Sequence, residues 1–268
     1  MLGAAAARAL AFVTARSTGP PLDRAVRVTL NFHPERVVPG LVDGGAYVSQ
    51  FVTGTSSGGL TAFEGGDRWR WESRMFGGAY DSAAAHERPV YGGLNFRLSP
   101  YGASPRFGSS HLRLKPDVPR RTTFCYPDSV TEPEHFGVAD RMALIALALA
   151  DQRDPLDDYV EAHVHGGVSV ETDAEALVLD PSHRGTPVEE AALRLPCPVE
   201  WHPGFHLHVD ELRRHPDFRG PEFVALGERI AVDGVLTPKV VGDNAGRHHP
   251  QDLKKVWHLL ARFGRRTP

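Results

Sequence analysis

Residues 159–167 read YVEAHVHGG and carry the densest set of reactive side chains in the chain. On a β-strand, residues two apart share a face. Glu161, His163 and His165 then point to one side, and Val160, Ala162 and Val164 to the other, toward a core. A carboxylate beside two imidazoles can stabilise developing positive charge, move protons or take a metal ion. The alternative is a polar strand face turned to solvent. His33 is a second candidate, with its strand-mate Asn31 and with Pro34, Glu35 and Arg36 directly after it. A third is 47–59, YVSQFVTGTSSGG, a short strand running into small hydroxyl residues and glycines. Backbone N–H groups and hydroxyls in such a loop suit phosphate or ribose oxygens, and an ordinary hairpin turn is the competing reading. The loop has neither the GK[ST] of a Walker motif nor a G-x-G-x-x-G opening a helix.

Two further clusters are less specific. In 64–72, EGGDRWRWE, Trp69 and Trp71 fit either a core or stacking on a base. In 202–208, HPGFHLH, His206 and His208 form a second H-x-H pair besides His163 and His165, a possible zinc set of neutral imidazoles. There is no H-E-x-x-H, no G-x-S-x-G, and no Cys-His context around Cys125 or Cys197, which argues against a nucleophilic hydrolase.

The elements that must hold these residues follow from periodicity. Residues 27–33, RVTLNFH, alternate with Val28, Leu30 and Phe32 on one side, and Pro34 ends the ladder. Strands are also expected over 107–114, 159–170 and 176–179, the last pairing back onto the strand that carries Glu161. Residues 140–150, DRMALIALALA, predict a helix that is apolar almost all round and therefore buried. Residues 250–263 predict an amphipathic helix with Leu253, Val256, Trp257, Leu260 and Phe263 as its stripe, Pro250 at its start and Gly264 past its end.

Fourteen of the 27 glycines fall between Gly40 and Gly108. Gly costs about 1 kcal/mol inside a helix, so this stretch predicts short strands joined by tight turns, or loops pressed against a ligand. The 268 residues suffice for a real core, and 41% hydrophobic composition excludes a disordered chain. A formal charge of −3 argues against a polybasic nucleic-acid binder. The longest apolar run, 142–150, is far short of a membrane span. Arg8 interrupts the Ala-rich N-terminus, which reads as a helix rather than a signal peptide. Two widely separated cysteines fit a reducing, cytoplasmic setting.

The segments VTLNFHPER (28–36), SQFVTGTSSGG (49–59), ERPVYGGLN (87–95), GASPRFGSSHLRL (102–114) and YVEAHVHGGV (159–168) resemble an uncharacterised bacterial domain-of-unknown-function family. Their order is also similar, distantly, to the ADP-ribosyltransferase superfamily of the His-type branch. His33 matches the His of a first core strand, Thr55-Ser56-Ser57 resembles the hydroxyl segment, and Glu161 matches the late catalytic Glu. Tyr159 stands where the arginine-modifying branch has an acidic residue or Gln, so the acceptor is open.

This likeness implies an α+β fold with a mixed, mostly antiparallel two-sheet core, an N-terminal helix and a helical C-terminal third. With the boundary placed at the Pro-rich stretch 195–203, the likeness gives a catalytic core over 1–195 and a helical extension over 196–268 packed on that core. It implies NAD as substrate, with ADP-ribose passing to a protein or other acceptor, as in a toxin or secreted effector. Glu161 and His33 would be catalytic. Asn31, Arg36, Gln50, Thr55, Ser56, Tyr91 and His163 would hold NAD, with Tyr91 or Phe51 stacking on nicotinamide. A metal-dependent hydrolase built on His163, His165, His206 and His208, and a non-catalytic ligand-binding domain, are the alternatives.

Overall fold

Eight segments that alternate side-chain character hydrogen-bond into one sheet in the computed structural model, which describes residues 2–54 and 61–265. They are β1 (Val28–Phe32), β2 (Val90–Leu94), β3 (Ser110–Leu114), β4 (Thr122–Tyr126), β5 (His135–Val138), β6 (Val160–Val164), β7 (Ala174–Leu179) and β8 (Val199–Trp201). Their order across the sheet is β8-β7-β3-β1-β2-β6-β4-β5. Every neighbouring pair is antiparallel except β7 with β8. Two ribbons stand apart: Ala46–Tyr47 with Val168–Ser169, and Leu207–His208 with Val235–Leu236.

The molecule is α+β, with the mixed, mostly antiparallel sheet that the sequence implies. It has one continuous eight-stranded sheet where two packed sheets were expected. The reason lies in what covers the apolar face. Val28, Leu30, Phe32, Leu112, Leu114, Val160, Ala162, Val164, Leu177 and Leu179 are all buried there. Their partners are helical: Val38 and Leu41 of α2 (Pro34–Gly44), Leu144 and Ala148 of α4 (Leu144–Ala150), and Ala191 and Ala192 of α5 (Pro187–Ala192). Each large side chain so buried contributes about 1.5–3 kcal/mol, and helices leave no need for a second sheet.

The opposite face is polar along β1, β2, β4 and β6, and two helical groups close its ends. At one end α1 (Ala4–Arg16) packs Ala6, Ala9 and Val13 with Phe136 and Val138 of β5, and with Met75, Phe76 and Tyr80 at the end of α3 (Asp67–Met75). At the other end α6 (Pro221–Ile230) and α7 (Pro250–Phe263) share a cluster that includes Leu226, Leu253, Val256, Trp257 and Leu260. The C-terminal layer docks on the sheet through Trp257, whose ring meets His33 edge-on at 5.2 Å. Its Nε1–H donates to the carbonyl oxygens of Pro105 and Arg106, at 3.0 and 3.1 Å. The helical layer begins after Trp201, because Val199–Trp201 still belongs to the sheet.

Several elements depart from the sequence reading. The glycine-rich stretch includes helical segments, because its glycines flank the runs PERVVPGLVDG and DRWRWESRM more than they interrupt them. Pro34 ends β1 and also supplies the first residue of α2, where its missing N–H costs nothing. β7 pairs with β3 and β8, not with β6. The helix read over 140–150 is shorter and buries only Leu144 and Ala148, leaving Leu147 and Leu149 exposed.

Candidate functional site

Period two on β6 does what the sequence requires of it. Val160, Ala162 and Val164 lie in the core, and Glu161, His163 and His165 face the other way. That other face is not solvent: His163 and His165 are both 0% exposed, so they are held by protein rather than by water. β2 and β4 flank β6, and register sets Tyr91 opposite His163 on one side, with Thr123 and Cys125 opposite His163 and Glu161 on the other.

Glu161 ends a buried chain of hydrogen bonds. Its Oε1 lies 2.9 Å from His163 Nε2 and also accepts from the Ser129 backbone N–H at 3.3 Å. Thr123 Oγ1 is 3.3 Å from His163 Nδ1 and 3.0 Å from His165 Nε2, and Tyr80 Oη is 2.7 Å from His165 Nδ1. Burial would raise the Glu161 carboxyl, but the bond and charge of His163, then the charge of Arg68, outweigh it and leave it below its ordinary value. An ionised carboxylate can only accept, so the His163 Nε2–H donates to Glu161. The bonds behind it, among Thr123, His163, His165 and Tyr80, take the direction that the ring protons set. Burial holds His165 at about 3, so it is neutral and able to accept from Tyr80.

Thr123→Val should therefore cost about 2 kcal/mol or more, because it leaves two buried ring nitrogens unpaired. Thr123→Ser should stay within about 1 kcal/mol of the parent. Urea midpoints of the two variants check this.

Both bonds to Glu161, and a 3.9 Å thiol contact from Cys125, fall on Oε1. Among the described residues none falls on Oε2, which is left to a cavity that Glu161 lines. This cavity has a volume of about 570 Å³ and lies at the C-terminal end of β1. Phe32, Val37, Leu41, Tyr47, Val48 and Phe107 form its apolar wall. Its polar lining includes Asn31, His33, Arg36, Gln50, Arg68, Tyr91, Ser104 and Glu161. Of the residues singled out from sequence, Asn31, His33, Arg36, Gln50, Tyr91 and Glu161 thus meet in one place, with His163 directly behind Glu161. Thr55 and Ser56 lie outside the described residues.

The individual placements refine the expected roles. His33 is half-buried at the start of α2. Burial, reinforced by the charges of Arg36 and His183, holds it at about 3, so it is a neutral imidazole. Asn31 is largely consumed in fixing a loop: its Nδ2 donates to Tyr101 O at 2.8 Å and its Oδ1 accepts from Ser104 N–H at 3.2 Å. Gly102, at φ 78°, lets that loop approach, since a Cβ there would lie 2.5 Å from Asn31 Oδ1. Gln50 Oε1 is buried without a partner among the described residues. Tyr91 donates its hydroxyl to Glu72 at 3.1 Å, carries the Arg68 guanidinium 4.4 Å from its ring centroid and meets His163 edge-on at 5.0 Å. Phe51 is covered by the Arg88 guanidinium at 4.2 Å. Tyr159 donates its hydroxyl to Asp128 at 2.8 Å.

The two H-x-H pairs do not converge. His208 lies in the Leu207–His208 ribbon and His206 just before it, their rings 4.6 Å apart, whereas His163 and His165 are enclosed in the main sheet. The metal-type group among the described residues is instead Cys125, Glu161 and His163. Burial, then the charge of Glu161, raises the Cys125 thiol well above its usual range, so it is no thiolate nucleophile. Sequence reasoning missed Arg68, Thr123, Cys125 and Tyr80. Only Thr123 and Cys125 had a local signal, the alternation of TTFCY, and it does not say which strand lies alongside.

These features define a class: an α+β protein whose polar sheet face opens into a sizeable cavity, with a histidine-backed carboxylate on its wall. The chain belongs to the family described as a protein of unknown function, DUF3626, which it matches over residues 27–153 and 150–263. All the described cavity residues lie within those spans. No curated protein matches the chain.

Proposed function

We propose that the protein cleaves NAD at the nicotinamide–ribose bond and transfers ADP-ribose to an acceptor. The observation that carries this reading is that Glu161 and His33, brought from two distant strands, line the same cavity. Volumes of about 300–1,000 Å³ are typical of small-molecule sites. The bond between the nicotinamide nitrogen and C1′ of the ribose breaks with its electron pair going to nicotinamide, which leaves neutral. The ribose carries positive charge in an oxocarbenium-like state. Glu161 Oε2, ionised and low in dielectric, stabilises that charge, while Oε1 is held by His163 and Ser129. The neutral His33 ring serves as an uncharged donor to a ribose hydroxyl. The acceptor, a protein in this reading, forms the new bond to C1′ and releases a proton. Two free cysteines fit action in a reducing cytoplasm.

Incubation with labelled NAD tests the proposal. Released nicotinamide, with ADP-ribose on an acceptor or on water, is the expected outcome. Absence of both binding and release would end this reading.

A second reading has its own observation: the ligand atoms of Cys125, Glu161 and His163 all lie within 4.8 Å of one another. Sulfur, nitrogen and oxygen together suit zinc, which would have to displace the thiol proton. Elemental analysis of untagged protein discriminates, since stoichiometric zinc lost on Cys125→Ala favours the metal site.

A further inference from the structure

A buried guanidinium with unfilled donors marks a place where an anion can bind. Arg68, in the first turn of α3, is only 6% exposed. Its Nε and Nη1 have no hydrogen-bond partner among the described residues. Leaving buried donors unfilled is costly, and the contrast with Arg88 is direct. Arg88 is equally buried, but it donates to Glu72 at 2.7 Å and to the Tyr80 carbonyl at 2.8 Å.

The charges of Glu72 and Glu161 act on Arg68, but neither carboxylate takes a hydrogen bond from its Nε or Nη1. Glu72, four residues along the same helix, is occupied by Arg88 and by the Tyr91 hydroxyl. Glu161 has its Oε1 taken by His163 and Ser129, and its Oε2 faces the cavity. Arg68 is nevertheless held in place, its guanidinium over Tyr91 at 4.4 Å and against Trp71 at 5.4 Å. It lines the cavity together with a second guanidinium, the exposed Arg36. Two arginines and a neutral His33 against the single carboxylate of Glu161 leave this lining net positive.

We propose that Arg68 is the anchor for a phosphate-bearing ligand in this cavity, with Arg36 as a second contact at its mouth. The assignment of that ligand as the diphosphate of a dinucleotide rests on the NAD reading above, whereas the anion site does not. Arginine suits phosphate because it offers several fixed donors and a permanent charge.

Isothermal titration of the full chain with ADP, inorganic pyrophosphate and adenosine tests this, using the parent, Arg68→Gln and Arg68→Lys. ADP and pyrophosphate are expected to bind the parent, ADP at least tenfold more tightly than adenosine. Arg68→Gln should weaken ADP at least tenfold and leave adenosine unchanged, and Arg68→Lys should retain part of the affinity. Melting temperatures of both variants serve as the folding control. Equal ADP affinity in the parent and Arg68→Gln, or no binding of ADP and pyrophosphate at millimolar concentration, would overturn the proposal. ADP binding without cleavage of NAD leaves the anchor standing and removes the transferase. NAD cleavage by Arg68→Gln with unchanged KM does the reverse.

Discussion

Glu161→Gln should lower nicotinamide release from NAD by about a thousandfold, at nearly unchanged NAD affinity. Removing one preorganised group aimed at transition-state charge typically costs 10²–10³-fold, about 2.7–4 kcal/mol. The site of Glu161 favours the upper end. The carboxylate is buried, held by His163 at 2.9 Å and by Ser129 at 3.3 Å, and kept ionised below its ordinary range. Gln presents a carbonyl oxygen to the same two donors, so the fold should persist. What it removes is the negative charge at the second oxygen, which faces the cavity and is needed only when the ribose becomes cationic. The loss should therefore fall on kcat rather than KM. Steady-state nicotinamide release, with circular dichroism as the folding control, measures both. Glu161→Gln with parental turnover would show that the carboxylate has no part in the reaction.

The second large effect is acid lability. Burial, which disfavours the charged imidazole, holds His33, His111 and His165 at about 3, His183 at about 4 and His258 at about 2; neighbouring cations push His258 down further. Unfolded, each titrates near 6.5. As pH falls through 6.5 the unfolded chain takes up protons that the folded chain refuses. The stability these groups contribute is complete above about 6.5 and is lost as pH falls toward their folded values. Each group removes up to about 1.4 kcal/mol per pH unit.

Two carboxyls oppose this. Burial raises Glu35 and Glu72 to about 7, so between 7 and the unfolded value near 4.5 falling pH stabilises through them. Five groups against two leave a net loss of about 4 kcal/mol per pH unit below 6.5. A domain with a total of about 5–15 kcal/mol should then unfold between about pH 3 and 5. Urea midpoints at pH 7, 6 and 5 should fall steadily. Constant midpoints over that range would mean that the buried histidines are already paired for protonation.

This bears on how the histidines read in sequence. As residue types they suggest metal or catalysis. In the fold, the two on β6 are links in one hydrogen-bonded chain behind Glu161. His111, His183 and His258 are buried neutral groups whose main consequence is for stability.

Much of the local structure was legible. The alternation VTLNFH gave β1 and its buried face, and VEAHV gave β6 with Glu161 and both histidines on the polar side. The helix Pro250–Phe263 was readable in its stripe, its leading proline and its trailing glycine. Other elements were hidden for identifiable reasons. The helix Asp67–Met75 lies in a region whose glycines suggested strands, yet it contains none itself. Cys125 and Thr123 touch Glu161 and His163 only because β4 is the strand beside β6.

The sequence by itself determined which side chains share a face, because side-chain direction follows backbone periodicity and apolar residues must turn inward. It also determined that one face of β6 carries a carboxylate and two imidazoles. Only the tertiary structure decided that β2 alone separates β1 from β6, so that His33 and Glu161 line one cavity. It alone placed Arg68 there, with Nε and Nη1 unfilled among the described residues, and joined Tyr80, His165, Thr123 and His163 into a chain that ends at Glu161 Oε1. The physical reason is that strand order and partner choice depend on packing between residues far apart in the chain, whereas periodicity records only how each residue stands relative to its near neighbours.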